Sequence, residues 1–309
     1  MSDRPLTFVG GTGRSGTHVV AELLDRHSRF HSIPIECRFH VNPQGFPDLL
    51  EGRVTKEQFL RKLRRFWWYR IRAGEPFAAI LPTLPMGRQT RGLHKVIPRE
   101  RFDAAVLEFD AAYEDDPVSA CRDLFCELLM PEADEAGKPG LAEMSCFTVA
   151  QAPTLVRVVP QARIVHTVRD GRDAGSSKVS KRQKREHPRD ARQGVDWWMG
   201  RLAEAEAGAR AVPADRLLTI SLDELVGGDR EGTYGRLLEF LELSDEPAMR
   251  EFFDSEMTPE NAHRDRWREG LSDPEQREVQ SAYEHALERI SSEGYLSAPL
   301  LRGVYERLG

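Results

Sequence analysis

With 309 residues, the chain is long enough for one large α/β domain or two small ones. A composition of 40% hydrophobic and 30% charged residues is that of a soluble globular protein. The net charge of −6 argues against a general nucleic-acid binder, and no apolar run is long enough to span a bilayer. The N-terminal MSDRPLTFVGG enters a strand pattern without a basic-then-apolar leader, so the expected location is cytoplasmic, with no stable membrane insertion. Cys37, Cys121, Cys126 and Cys146 form no C-x-x-C pair, which signals neither a zinc site nor a redox pair; four buried thiols are expected.

In chain order, LTFVGG reads as a buried strand, and GTHVVAELLDRH as a helix with Val19, Val20, Leu23 and Leu24 on one face. FHSIPIE reads as a second short strand. Residues 55–73 read as a helix capped by Thr55, residues 76–92 as a Pro- and Gly-rich loop, and residues 98–130 as two helices broken near EDDP. GLAEMS is a further strand; QARIVHTVRDGRDAGSS and RLLTISLDELV are two more strand–turn–helix units, and the C-terminal third is mostly helical and charged. Repeated βα units imply an α/β protein with a P-loop-type three-layer fold, a central parallel sheet flanked by helices.

VGGTGRSGTH has the spacing of a phosphate-binding loop, Gly11 to Gly16, but Thr17 and His18 stand where Lys and Ser are expected. Successive N–H groups over Thr12, Gly13, Arg14, Ser15, Gly16 and Thr17 at a helix N-terminus make an anion nest without lysine. Arg14 supplies a cation within it. His18 either donates to a phosphate or packs on the helix. VRDGRDAGSS provides a second anion site, with Arg169 at a strand end and Ser177 eight residues on, in the following helix. Arg172 is either a surface charge or a support for this site, and Asp173 caps or braces the turn. Together the motifs describe a ligand with two separated phosphates.

GRSGTH and RDGRDAGSS, in this order and at this separation, resemble the two motifs of the sulfotransferases that use 3′-phosphoadenosine 5′-phosphosulfate. TISLDELV and the basic loop RDRWREGLS resemble later segments of that family. The resemblance implies a single domain over 1–309, with insertions around 37–115 and 178–210 shaping the acceptor site. It implies that residues 12–18 hold the 5′-phosphosulfate, that Arg169 and Ser177 hold the 3′-phosphate, and that Arg266, Trp267 and Arg268 close over the nucleotide. RSGTHVVAELLDRHSRFHSIPIECRFH is most similar to the tyrosylprotein and carbohydrate branch. By that resemblance Glu36, two residues before Arg38, is the general base for a hydroxyl of a small-molecule, sugar or peptide acceptor. Arg14 then stabilises the leaving phosphate. No metal is required.

One departure is Met144, where related chains carry lysine; Arg14, Ser145 or a C-terminal arginine would have to replace it. His94 is the second candidate base. The rival readings are a P-loop small-molecule kinase, which would want the absent loop lysine, and a non-catalytic nucleotide sensor on the same fold. The basic stretch 177–192 is a solvated helix end or an electropositive rim, and the tryptophans of FWWYR and DWWMG are core or acceptor-pocket residues. Neither the acceptor nor an oligomeric state is encoded legibly.

Overall fold

The computed structural model describes residues 4–69, 92–180 and 188–308. The loop expected at 76–92, except Gly92, the end of the helix expected over 55–73 and the middle of the basic stretch 177–192 lie outside the described residues.

The first half of the chain runs β1 (Leu6–Gly11), α1 (Thr17–Asp25), β2 (Phe30–Ser32), α2 (Phe46–Leu50), α3 (Lys56–Lys62), α4 (Arg99–Ala112), α5 (Pro117–Glu135), β3 (Gly140–Met144), α6 (Ala152–Val158) and β4 (Arg163–Val168). It continues through α7 (Gly171–Val179), α8 (Ala191–Arg210), β5 (Leu217–Ser221), α9 (Leu222–Val226), α10 (Arg230–Leu241), α11 (Pro247–Glu256), α12 (Asp273–Ser292) and α13 (Ala298–Leu308). The strands form one sheet in the order β2-β3-β1-β4-β5. β2 and β3 pair in parallel, with Phe30 opposite Gly140, as do β4 and β5, with Ile164 opposite Leu217. The strand order reverses direction at β1, which creates a topological switch point beside β4, where open α/β sheets bind ligands at the strands' carboxyl ends.

Local chemistry sets the element boundaries. Thr55 caps α3 in a reciprocal box with Gln58, as the sequence indicated. Below it the helix loosens into a π-turn over Leu63–Trp67. Asp116 caps α5, and Pro117 occupies its first turn, where no N–H is missed. Asp170 and Ser221 cap α7 and α9 with their own side chains.

The chain falls into two compact units. One comprises Met1–Phe8, Ser28–Ser145 and Pro153–Ala162. Its core is aromatic: Phe39 meets Phe46 at a centroid distance of 5.4 Å, and Phe59 contacts Phe46, Trp67 and Phe109. The other comprises Val9–His27, Cys146–Ala152 and Arg163–Gly309. Its core gathers Val168, Ala174, Val195, Trp198, Tyr283 and Leu287 from β4, α7, α8 and α12. Trp67, Trp68, Trp198 and Trp267 are all buried, so these tryptophans serve packing. Cys37, Cys121 and Cys126 are buried cysteines outside any disulfide; Cys146 is half-buried, unlike the buried thiol expected there.

α7 and α8 cross at a pair of glycines. A Cβ on Gly194 would lie 2.7 Å from the carbonyl carbon of Gly175 and 2.8 Å from its Cα. Backbone atoms cannot yield as a flexible side chain can, so this crossing admits only glycine. Gly194→Ala should lower stability by ~1–3 kcal/mol through overpacking. Urea unfolding followed by tryptophan fluorescence measures this, and an unchanged midpoint would contradict it.

Candidate active site

The second unit carries both anion motifs. β1 ends in Gly10 and Gly11 because it passes against β4: a Cβ on Gly11 would sit 2.3 Å from the Thr167 carbonyl oxygen. Beyond it the loop turns through left-handed backbone at Gly13 (φ 78°), Arg14 (φ 62°) and Gly16 (φ 88°). Arginine occupies that region at a cost of roughly 1–2 kcal/mol, a strain that concentrates at functional loops. Thr17 opens α1, so the loop sits at a helix N-terminus with its partial positive charge.

The loop's side chains have definite partners. Thr167 Oγ1 donates to Gly10 O at 3.1 Å, which leaves Ser15 Oγ as the donor in its 3.1 Å bond to Thr167 Oγ1. The Ser15 hydroxyl proton is thus spent on anchoring the loop to β4. Thr12 Oγ1 donates to Gly13 O, and Thr12 and Thr17 are buried; His18 is exposed. Arg14 Nε donates to Ser177 Oγ at 2.9 Å, joining motifs 163 positions apart in the chain. The Trp197 ring edge and Cys146 Sγ each lie 3.8 Å from where a Gly13 Cβ would be, walling the loop on that side. The sequence left Trp197 as a core or acceptor-pocket residue, because a helical aromatic carries no signal for which strand-end loop it will meet.

Arg169, 6% exposed, lies where three segments meet. Its Nη2 donates to Ala262 O at 2.7 Å and His263 O at 2.9 Å, and its Nη1 to Arg14 O at 3.4 Å. Its Nε is buried and has no partner among the described residues. Asp173 completes the clamp from α7 by accepting from the backbone N–H of Asp265 at 2.9 Å and of Trp267 at 3.0 Å. Burial raises the Asp173 carboxyl above its usual range, and the Arg169 charge opposes that shift. The turn-bracing role read for Asp173 thus takes the form of holding the C-terminal basic loop. Arg172 is a buried support: it pairs with Asp170, and its guanidinium lies 5.0 Å from the Trp267 ring centroid and 4.9 Å from that of Tyr283. In the basic loop the Trp267 side chain is 1% exposed, packed against Arg172 instead of standing open to a ligand. Arg266 and Arg268 are exposed; the first pairs with Glu269 at 3.1 Å, and the second lies 4.5 Å from the Trp267 ring centroid.

Glu36 and His94 belong to the other unit. Glu36 is partly buried in an irregular stretch after β2, and Arg38 pairs with its carboxylate through Nε at 2.9 Å and through Nη2. His94 is half-buried; its Nδ1 is 2.7 Å from Trp68 O, and burial lowers its pKa. Met144 is buried in β3. Ser145 donates to Glu143 and accepts from Arg38 N–H, so its hydroxyl proton is committed inside the protein. The Ser145 hydroxyl, one candidate to stand in for the lysine absent at position 144, is thus engaged with Glu143.

A strained glycine–arginine loop on a helix N-terminus, linked to a second arginine-and-serine turn, marks a P-loop-type α/β fold. The chain belongs to the sulfotransferase family, whose model matches residues 5–247, and it is an enzyme of sulfuryl transfer, which removes the kinase and sensor readings. No curated protein matches it in sequence. Its fold is similar to the sulfotransferase domain of the Synechococcus PCC 7002 olefin synthase, at 18% identity and a TM-score of 0.52, over 91% of this chain and 94% of that one. It is likewise similar to a sulfotransferase domain from the curacin biosynthetic pathway, at 15% identity and a TM-score of 0.53, over 96% and 99% of the two chains. Among the described residues, no helix is long and apolar enough to cross a membrane.

The charges around α7 carry a pH signature. Asp223 is 3% exposed and accepts from Asp170 N–H at 2.8 Å. Burial, aided by the Asp170 charge, pushes its carboxyl from 3.8 up to about 6. Because the folded value exceeds the unfolded one, this group's stabilising contribution is full below about pH 4 and is lost as pH rises through about 6. Asp223→Asn keeps an acceptor oxygen for Asp170 but cannot ionise. Its stability relative to the parent should therefore rise between pH 4 and 7, by at most ~3 kcal/mol. Denaturant unfolding of both proteins across that range measures the difference, and a constant gap would contradict the assignment.

Proposed function

We propose that this enzyme transfers the sulfuryl group of 3′-phosphoadenosine 5′-phosphosulfate to an acceptor hydroxyl, with Glu36 as general base. The observation that carries the reading is the hydrogen bond from Arg14 to Ser177, which fuses the two anion motifs into one binding surface. The unpartnered Arg169 Nε supports it, because a buried N–H without an acceptor costs ~1–3 kcal/mol unless a ligand meets it. In this reading the amides of residues 12–17 and Arg14 hold the 5′-phosphosulfate, with His18 at the rim. Arg169 Nε and Ser177 face the 3′-phosphate. Trp267 acts by holding the basic loop in place, while Arg266 and Arg268 supply its exposed charge. No metal is invoked.

The division of labour follows from the chemistry. A hydroxyl is a poor nucleophile until its proton leaves as the new oxygen–sulfur bond forms, and Glu36 takes that proton. As the sulfur–oxygen bond to phosphate breaks, negative charge develops on the departing oxygen, and Arg14 in its fixed loop stabilises that charge. Arg38, paired to Glu36, orients its carboxylate. Within the region read as acceptor-shaping, a groove of about 530 Å³ is lined by Gln44, Arg53, Gln58, Arg61, Lys62 and Arg65. Such a groove favours an acceptor that carries negative charge.

Glu36→Gln preserves volume and one acceptor oxygen but cannot take a proton at neutral pH. It should lower turnover with phenol and sugar acceptors by ~10²–10⁴-fold and leave nucleotide affinity nearly intact. His94→Asn, assayed alongside, should retain activity. An inactive His94 variant beside an active Glu36 variant would move the base to His94.

A further inference from the structure

Glu143 lies in β3 and is 1% exposed, yet its carboxylate has three hydrogen-bond partners. Oε1 accepts from Cys37 N–H at 3.0 Å and from the Ser145 hydroxyl at 2.7 Å. Oε2 lies 3.0 Å from His40 Nε2. Ser145 Oγ in turn accepts from Arg38 N–H at 3.2 Å. The two backbone N–H groups that directly follow Glu36 are therefore held by one buried carboxylate and by the hydroxyl that it orients.

This arrangement answers a local need. Residues 34–38 belong to no strand or helix, and the N–H groups of Cys37 and Arg38 take side-chain acceptors instead of a ladder partner. Arg38 also sits at φ 66°, in the left-handed region that a non-glycine side chain enters only under constraint. Its guanidinium folds back onto Glu36, so the backbone angle at Arg38 sets how the pair is presented. His40 is fully buried, and its ring lies 5.6 Å from Phe8, 5.6 Å from Phe39 and 5.2 Å from Phe125, centroid to centroid. Its Nδ1 has no partner among the described residues. The ring therefore meets the Glu143 carboxylate through Nε2 as the donor.

We infer that Glu143 and His40 are positioning residues, a buried carboxylate–imidazole brace that fixes the loop presenting Glu36. The inference rests on the reading of Glu36 as the base. Neither residue touches substrate; both act through the backbone of residues 37 and 38.

The test compares the parent with Glu143→Gln, His40→Phe, His40→Gln and Glu36→Gln. Each is assayed with 3′-phosphoadenosine 5′-phosphosulfate and a panel of phenol and sugar acceptors. Glu143→Gln and His40→Phe should lower kcat by ~10–100-fold, the scale of a misplaced catalytic group, with KM for the nucleotide nearly unchanged. Amide hydrogen exchange over residues 37–40 should quicken. His40→Gln places an amide N–H near the Nε2 position and should recover most of the loss. If Glu143→Gln does not fold, the two His40 variants decide the matter. Full kcat and unchanged exchange in His40→Phe, beside an inactive Glu36→Gln, would overturn the brace and leave the base standing. A fully active Glu36→Gln would overturn both.

Discussion

Arg169 is the constraint on which the unit carrying both loop motifs depends. One guanidinium meets the loop after β1 through Arg14 O and the C-terminal basic loop through Ala262 O and His263 O. Asp173, one helical turn further on, holds the same basic loop through two backbone N–H groups. Three segments far apart in sequence are tied together by charged groups that are nearly inaccessible to water. Burying such groups is tolerable only when most of their hydrogen-bonding capacity is met. Among the described residues Arg169 Nε is the exception, and the proposed 3′-phosphate would meet it.

The loop without a lysine then becomes intelligible. A triphosphate loop needs a long flexible cation at its end; this loop places arginine within the turn itself, in left-handed backbone, and pins it to Ser177 on α7. Fixing the cation at two points removes freedom that a lysine would keep, so under the proposed mechanism the charge would already be in place when the phosphate leaves. The glycine crossing of α7 and α8 serves the same end, since it lets α8 bring Trp197 against the loop.

Much of this was legible in the sequence because it is written in local spacing. The strand–loop–helix patterns of 6–25 and 163–179, the Thr55 cap and the break before Pro117 all depend on neighbours within a few positions. The sulfotransferase assignment rested on two such motifs, and the match to residues 5–247 agrees with it. What stayed hidden depends on distant partners. Nothing local distinguishes Glu143 from a solvated carboxylate or Trp197 from a core aromatic. Trp267 belongs to a basic loop that resembles a nucleotide cover, yet the buried Arg172 holds its ring in the core. Ser145 stood beside a missing lysine and invited a catalytic reading; only the Glu143 carboxylate reveals that its hydroxyl is already occupied.

The central claim is that Arg169 and Ser177 read a 3′-phosphate with no metal. Calorimetric titration of 3′-phosphoadenosine 5′-phosphate and of adenosine 5′-phosphate into the parent, Arg169→Ala and Ser177→Ala, all in chelator, tests it most directly. The account expects the parent to favour the 3′-phosphorylated nucleotide strongly, and each variant to lose ~1.5–3 kcal/mol of that preference. Equal binding of the two nucleotides by the parent, or tight binding only of ATP with magnesium, would contradict it.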